Sequence, residues 1–489
     1  MEMGIAMATQ EVPVLVVGAG PAGLATALAL GRYGVECLLV ERRHEPPSHP
    51  RATVVSTRSM ELVRSFGLER EVLAGGIEVD WLMWFCETLS RAEAGRGVEV
   101  GLPTRAQAAL LSPSAPECVP QDHLERVLLE RVRSLGPTTV ALETEVTGLE
   151  SRPDGVLVAL RGHGGETRDV RAGYVVAADG ARSTVRKALG IPMLGPSDVL
   201  AGSGALVRAP LWSMLPEPRY GAYWVERPGA ESLFLPAGGD RWIFATVVDP
   251  DDARRPSSDA NLVARIRYAA GVSDLPVRIE GIRSFSSAAQ LAARFRNDNV
   301  VLVGDAAHRV TPRGGTGMNT AIHDGHDIGW KLGWVLNGWA DASLLDSYER
   351  ERRPVAAHNV ARSADPNGST RTTDEELRVD LGGRIPHHWL NRREGRVSTL
   401  DLLGPGLTVL TGPEGTRWRA GADRVPAGPP LAVHALDAVT ARALGVVGEG
   451  ALIVRPDGVP VDRLARAESL GGAIADVSSP GASSKAVAA

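Results

Sequence analysis

Cysteine is scarce. Cys37, Cys86 and Cys118 are the three cysteines in 489 residues, with no CxxC spacing and no matching histidine cluster. That excludes a disulfide framework and a zinc ribbon, and it suits a reduced, cytosolic chain. Long apolar runs are missing too: Gly, Pro or a charge interrupts each one well before the roughly 18 residues a membrane span needs. Residues Met1 to Gln10 lack the basic start and apolar stretch of a secretory signal and read as a ragged start. Neither sign of charge dominates, since 53 Lys and Arg face 58 Asp and Glu for a net charge of -5. No general field therefore attracts nucleic acid or an anionic membrane, and any anion must be held locally. Aromatic residues make up 4% of the chain, yet tryptophan, with ten, is commoner than phenylalanine or tyrosine, with six each. Trp81, Trp84, Trp224 and Trp242 read either as the lining of a flat hydrophobic cavity or as core.

What is present is an ordinary globular balance, 44% hydrophobic and 23% charged, in a chain too long for one core. Val12 to Val17 is an apolar, valine-rich run suited to a parallel strand buried on both faces. It leads into Gly18-Ala-Gly-Pro-Ala-Gly23, then an Ala/Leu helix to Leu30 and a second strand from Val35 to Glu41. Further strand-like runs at Tyr174 to Ala178 and Val300 to Val303 each meet a turn with Asp and Gly. Between them, Pro192 to Ser284 alternates like an antiparallel sheet. Beyond a charged passage at Asp380 to Arg396, strand-like runs recur at Leu407 to Leu410 and Ala451 to Val454. Ser478 to Ala489 has the composition of a disordered tail.

Three constellations carry chemistry. In the first, Gly18 allows a tight turn, Gly20 lets a pyrophosphate approach the backbone, Gly23 lets helix and strand pack, and Glu41 can accept from ribose hydroxyls. A dinucleotide binds there, FAD or NAD rather than NADP. The second is Asp179-Gly180 with Ser183 or Thr184 and Arg186, which taken alone is a turn into a helix. The third is Gly304-Asp305 with His308, then Pro312, Gly314, Gly315, Gly317, Met318 and Asn319 opening a helix that carries His323, Asp324, His326 and Asp327. Asp305 at a strand end can accept from a ribityl hydroxyl, and the glycine loop offers backbone donors and a helix dipole to charge on a reduced flavin. His308 reads either as catalytic or as a residue that caps the loop.

Taken in order, these motifs resemble the class A FAD-dependent aromatic hydroxylases, the p-hydroxybenzoate hydroxylase fold, over roughly Val12 to Arg353. The resemblance implies FAD at Gly18, Gly20, Gly23, Glu41 and Arg42, with Arg51 and Gln121 near pyrophosphate and ribityl. It places Asp179 and Gly180 beside FAD and NAD(P)H, Asp305 on the ribityl chain, and Pro312, Gly314, Gly315, Gly317, Met318 and Asn319 around the flavin ring. Leu381 to Trp389, Ser398 to Leu402 and Ala451 to Gly458 look like the polyketide and phenol hydroxylases with a C-terminal thioredoxin-like domain. With every cysteine before residue 120, that domain has no thiol redox role.

The expected architecture is α/β. A Rossmann-like FAD-binding domain is built from residues 8–80, 116–191 and 284–375, and a mainly antiparallel substrate domain from 81–115 and 192–283. A C-terminal thioredoxin-like α/β domain follows at 395–477, then a tail at 478–489. The expected activity is NAD(P)H-dependent hydroxylation of a phenolic or polycyclic, polyketide-like aromatic through a flavin C4a-hydroperoxide, in a monomer or homodimer with no metal. Arg219, Tyr223 and Trp224 are candidates for substrate contact, with sheet packing the competing reading. A Baeyer-Villiger or other rearrangement on the same fold, or a flavin protein that binds a ligand without turnover, stays open.

Overall fold

The glycine turn follows from its first strand. In the computed structural model, which describes residues 10–247, 259–393, 395–425 and 428–478, Gln10–Val17 is the central parallel strand. Val14, Leu15 and Val16 are fully buried. It pairs in parallel with Cys37–Val40 on one side and Thr167–Ala177 on the other, and the latter pairs in parallel with Val300–Leu302. All three sequence constellations therefore leave the C-terminal edge of one eight-stranded sheet. Ligands collect at that edge in open α/β sheets. The tail beyond Ser478 and the start before Gln10 lie outside the described residues.

Two helices draw the constellations together. Pro21–Arg32 packs along Gly317–Leu336, and the contact depends on small residues. A Cβ on Gly325 would lie 2.2 Å from the Ala22 carbonyl oxygen, and one on Gly329 would lie 2.5 Å from the Ala29 Cβ. The four-residue spacing of Gly325, Gly329 and Gly333 is the sequence signal for this contact, and it pulls the start of the longer helix against the first glycine turn. That helix is also less polar in its surroundings than a surface helix: His323, Asp324, His326 and Asp327 are all buried.

A seven-stranded sheet faces this edge, in the order Arg278–Ser287, Leu200–Arg208, Arg241–Val247, Ser232–Pro236, Tyr220–Val225, Asp80–Cys86, Arg96–Glu99. One pairing departs from the expected antiparallel pattern, because Tyr220–Val225 runs parallel to Asp80–Cys86. Those strands lie far apart in sequence, so no hairpin turn dictates their relative direction. The segment from Leu407 onward forms a four-stranded mixed sheet. It shares one apolar core with the long helix, and Trp334 donates to the Pro405 carbonyl at 2.9 Å. The three cysteines are buried away from it. Burial pushes the Cys37 thiol up to about 11 and the Cys86 and Cys118 thiols up to about 12.

Candidate active site

Between the edge of the first sheet and the inner face of the second lies one cavity of about 1220 Å³. That exceeds the roughly 300–1,000 Å³ of a usual single-ligand pocket, so a dinucleotide and a second molecule can share it. On the first-sheet side the lining takes in Gly18, Gly20, Glu41, Arg42, Arg51 and Gln121. Asp179, Gly180, Asp305, Pro312, Gly314, Gly315, Gly317 and Met318 complete that side.

The geometry explains the glycines individually. Gly18 has φ +105°, and a Cβ there would lie 2.4 Å from the Ala178 carbonyl oxygen. At Gly23 a Cβ would lie 1.9 Å from the Gly18 oxygen, whereas at Gly20 it would meet nothing within 4 Å. Gly23 is thus required by helix-to-turn packing and does not line the cavity. Gly20 leaves open space beside the N-terminus of Pro21–Arg32, where backbone donors and the helix dipole favour an anion. Glu41 accepts from the Ala19 N–H at 2.9 Å through Oε2 and from the Arg43 N–H at 3.0 Å through Oε1. The acid therefore fixes the turn as well as facing the cavity.

The other two motifs interlock. Asp179 Oδ2 accepts from the Val185 N–H at 3.1 Å, while Oδ1 is buried without a partner. Burial pushes this carboxyl up from the usual carboxylate range. Arg186 donates to the Ala306 carbonyl at 3.0 Å, tying the Asp179 turn to the Asp305 turn. Behind Asp305, His308 lies 2.7 Å from Asp324 Oδ2, and Arg352 donates to Asp324 Oδ1 at 2.8 Å. His308 is fully buried against that carboxylate and does not line the cavity, which places it behind the loop. Open space at Gly20 beside a helix N-terminus fits the pyrophosphate of FAD, carboxylates at Asp179 and Asp305 fit its hydroxyl-bearing chain, and the backbone of Gly314–Gly317 fits its ring.

Three candidates sit elsewhere. Asn319 does not line the cavity: its amide accepts from the Ser56 N–H at 2.9 Å and donates to the Val54 and Gly315 carbonyls, locking the loop. Tyr223 is fully buried in the core behind the second sheet, its hydroxyl accepting from the Tyr220 N–H at 3.0 Å. Arg219 stacks over Trp212 and pairs with Glu217. Of the tryptophans, Trp81 and Trp224 line the cavity, Trp84 stacks on Tyr220, and Trp242 is core. The acidic group Asp327, Glu351 and Asp457 is the metal-type cluster among the described residues. Lys331 Nζ already lies there, 2.7 Å from Asp327 and 2.9 Å from Glu351.

Asp305→Ala is expected to weaken FAD retention by about tenfold or more, the worth of a hydrogen bond to a charged group, and His308→Ala far less. Flavin retained through gel filtration at matched concentrations checks it, and equal retention would remove Asp305 from this role.

A site of this kind, on this fold, defines a flavin-dependent oxygenase. The "FAD binding domain" family model matches residues 11–363 and the "Aromatic-ring hydroxylase, C-terminal" model matches residues 379–475. The chain belongs to this family of FAD-dependent aromatic-ring hydroxylases and is a flavoprotein monooxygenase. It is 33% identical to tetracenomycin A2 monooxygenase-dioxygenase of Streptomyces glaucescens, covering 92% of this chain and 93% of that one. It is also 33% identical to aklavinone 12-hydroxylase RdmE of Streptomyces purpurascens, covering 93% and 95%. Among solved structures, aklavinone-11 hydroxylase in ternary complex with FAD and aklavinone superposes with a TM-score of 0.86 at 31% identity, over 96% of this chain and all of that one. The flavin-dependent monooxygenase PieE with FAD and substrate gives 0.85 at 27%, over 96% and 99%.

Proposed function

We propose that this monooxygenase hydroxylates a polycyclic, polyketide-like phenol, with NADPH or NADH as transient reductant. The observation that carries the substrate class is the second half of the cavity, whose wall is the inner face of the seven-stranded sheet. Gly204, Gly221, Ala222 and Ala245 give that wall a shallow floor beside Trp81 and Trp224. A Cβ on Gly221 would lie 2.7 Å from the Trp81 ring, so the glycine leaves room for the indole against the strand. A floor of small residues beside two indoles suits fused aromatic rings. The relatives named for tetracenomycin and aklavinone support the same class.

Bound FAD supplies electron transfer from a nicotinamide and activation of O2. The protein's part is to hold the cofactor through the glycine turn, Asp179 and Asp305, to orient the ring of the substrate, and to exclude water. In this proposal residues 8–80, 116–191 and 284–375 hold the cofactor, 81–115 and 192–283 form the substrate wall, and 395–477 is a thioredoxin-like support. The enzyme works as a monomer or homodimer in the cytoplasm. No helix among the described residues is long and apolar enough to cross a membrane.

The test is the purified protein's visible spectrum, followed by NADPH and NADH oxidation across simple phenols and anthraquinone-like compounds. Oxidation stimulated by fused-ring phenols, with one oxygen gained at an aromatic carbon, is the expected result. Stimulation by simple phenols alone would overturn the substrate class, and a ring-expanded product would overturn hydroxylation. Trp224→Ala is expected to raise KM for the aromatic about tenfold, while Arg219→Ala and Tyr223→Phe hold it within about twofold. Steady-state kinetics with the preferred phenol checks all three.

A further inference from the structure

Three segments that line the cavity meet on a single buried side chain outside it. Arg362 lies in the last turn of the helix Asp346–Ala364, with 4% of its side chain exposed. Its Nη2 donates to the Val100 carbonyl at 2.9 Å, its Nε donates to the Gly368 carbonyl at 2.9 Å, and Nη1 lies 3.0 Å from Glu376 Oε2. The same guanidinium lies against the flavin-side loop: a Cβ on Gly314, which has φ +78°, would lie 2.6 Å from Nε and 2.7 Å from Cζ. Val100, Gly314 and Asn367, one from each segment, line the cavity.

The neighbourhood reinforces the junction. The Ser363 carbonyl accepts from Thr311 Oγ1 at 2.8 Å and from Arg313, both in the flavin-side loop. Thr373 donates to Glu99 Oε2 and to the Leu102 carbonyl in the substrate wall. A planar fork with five donors in fixed directions suits two carbonyls and a carboxylate on different sides, whereas a lysine ammonium is a point charge on a flexible stem that fixes no such geometry.

We propose that Arg362 is a positioning residue for oxygen transfer, fixing the substrate wall at 99–102, the loop at 311–317 and the loop at 365–370 in one mutual arrangement. The proposal rests on the hydroxylase reading above. With the arrangement held, the aromatic C–H, O2, NAD(P)H and a proton give the aromatic C–OH, NAD(P)+ and water. With it loosened, O2, NAD(P)H and a proton give hydrogen peroxide and NAD(P)+, and the aromatic leaves unchanged. Arg362 touches neither pathway's reacting atoms and acts through the segments it joins.

The experiment compares FAD-loaded wild type, Arg362→Met and Arg362→Lys by hydrogen exchange, bound-flavin content and the ratio of peroxide to hydroxylated product. Exchange is expected to rise together in peptides spanning 98–103, 311–317 and 365–371, with flavin retained and the peroxide-to-product ratio up by about tenfold in Arg362→Met. Arg362→Lys, which keeps the charge and serves if the methionine variant does not fold, is expected to fall between. Faster exchange confined to 365–371, or an unchanged peroxide-to-product ratio, would overturn the proposal. If the wild type hydroxylates no aromatic, the functional reading fails while the exchange pattern still decides whether Arg362 joins the segments.

Discussion

Gly20→Val is expected to abolish FAD binding while leaving the apoprotein folded, and Gly23→Ala to damage the fold itself. The two positions are three residues apart in one motif, yet their surroundings are opposite. Gly20 has φ -79°, which any residue adopts, and a side chain there enters open space in the cavity. A valine would stand where the pyrophosphate must approach the helix N-terminus, so binding is lost and the protein's own packing is kept. At Gly23 even one methyl would lie 1.9 Å from the Gly18 carbonyl oxygen and 3.2 Å from the Ala178 Cβ. The turn and the strand end at Ala178 would both have to shift, at a cost of about 3 kcal/mol or more. Urea unfolding of the flavin-free proteins separates the cases. A strongly destabilised Gly20→Val apoprotein would show that the open space is needed for folding and not for the ligand.

The second large effect concerns the charges that attach the C-terminal segment. Arg384 and Glu61 are each only 3% exposed in their side chains. Arg384 donates to both oxygens of Glu61, at 2.9 and 2.5 Å, and to the Leu111 carbonyl at 2.8 Å. Glu61 also accepts from Arg58 at 2.9 Å and Ser112 at 2.8 Å. Burial pushes the Glu61 carboxyl up, but Arg58 and Arg384 outweigh it and hold the group below the usual carboxylate range. Arg384→Met strips one of two cations from a buried carboxylate and is expected to cost about 3–5 kcal/mol. Adding Glu61→Gln should recover only part of that loss, because it also takes the carboxylate away from Arg58, whose side chain is 11% exposed. Since the folded pKa of Glu61 is depressed, its contribution is fully present above the ordinary glutamate value of about 4.3 and lost only as pH falls through the lower folded value. Urea titrations at pH 7 and in acid check both the size and the sign. Equal stabilities of Arg384→Met and wild type at pH 7 would show that this junction is not where the segment is held.

What was legible in the sequence was whatever a short stretch of chain fixes for itself. A valine run before glycines of defined spacing, with a second strand and a terminal acid, favours a strand, turn and helix, so Gly18, Gly20 and Glu41 read as a dinucleotide edge, Asp305 read as a ribityl acceptor at a strand end, and Asp179 joined them through the family resemblance. The second sheet was legible as a sheet but not as a surface. Tyr220–Val225 shifts register between Tyr220 and Ala222 against Asp80–Cys86. This leaves Tyr220, Tyr223 and Val225 in the core while Ala222 and Trp224 face the cavity. Alternation gives two faces, and neither says which one a ligand meets.

Glycine turns, strand ends and helix starts are local constraints on the backbone, so the dinucleotide fold was readable in the sequence, and the resemblance of the ordered motifs to the aromatic hydroxylases implied the class of chemistry. Only the tertiary structure decided which of Arg219, Tyr223 and Trp224 faces the cavity. It also decided that Asn319 and His308 brace the loop from behind, and that Arg362 and Arg384 are buried junctions. Arg362 meets Val100 from 262 residues away and Arg384 meets Glu61 from 323 residues away, and no local pattern of sequence records such partners.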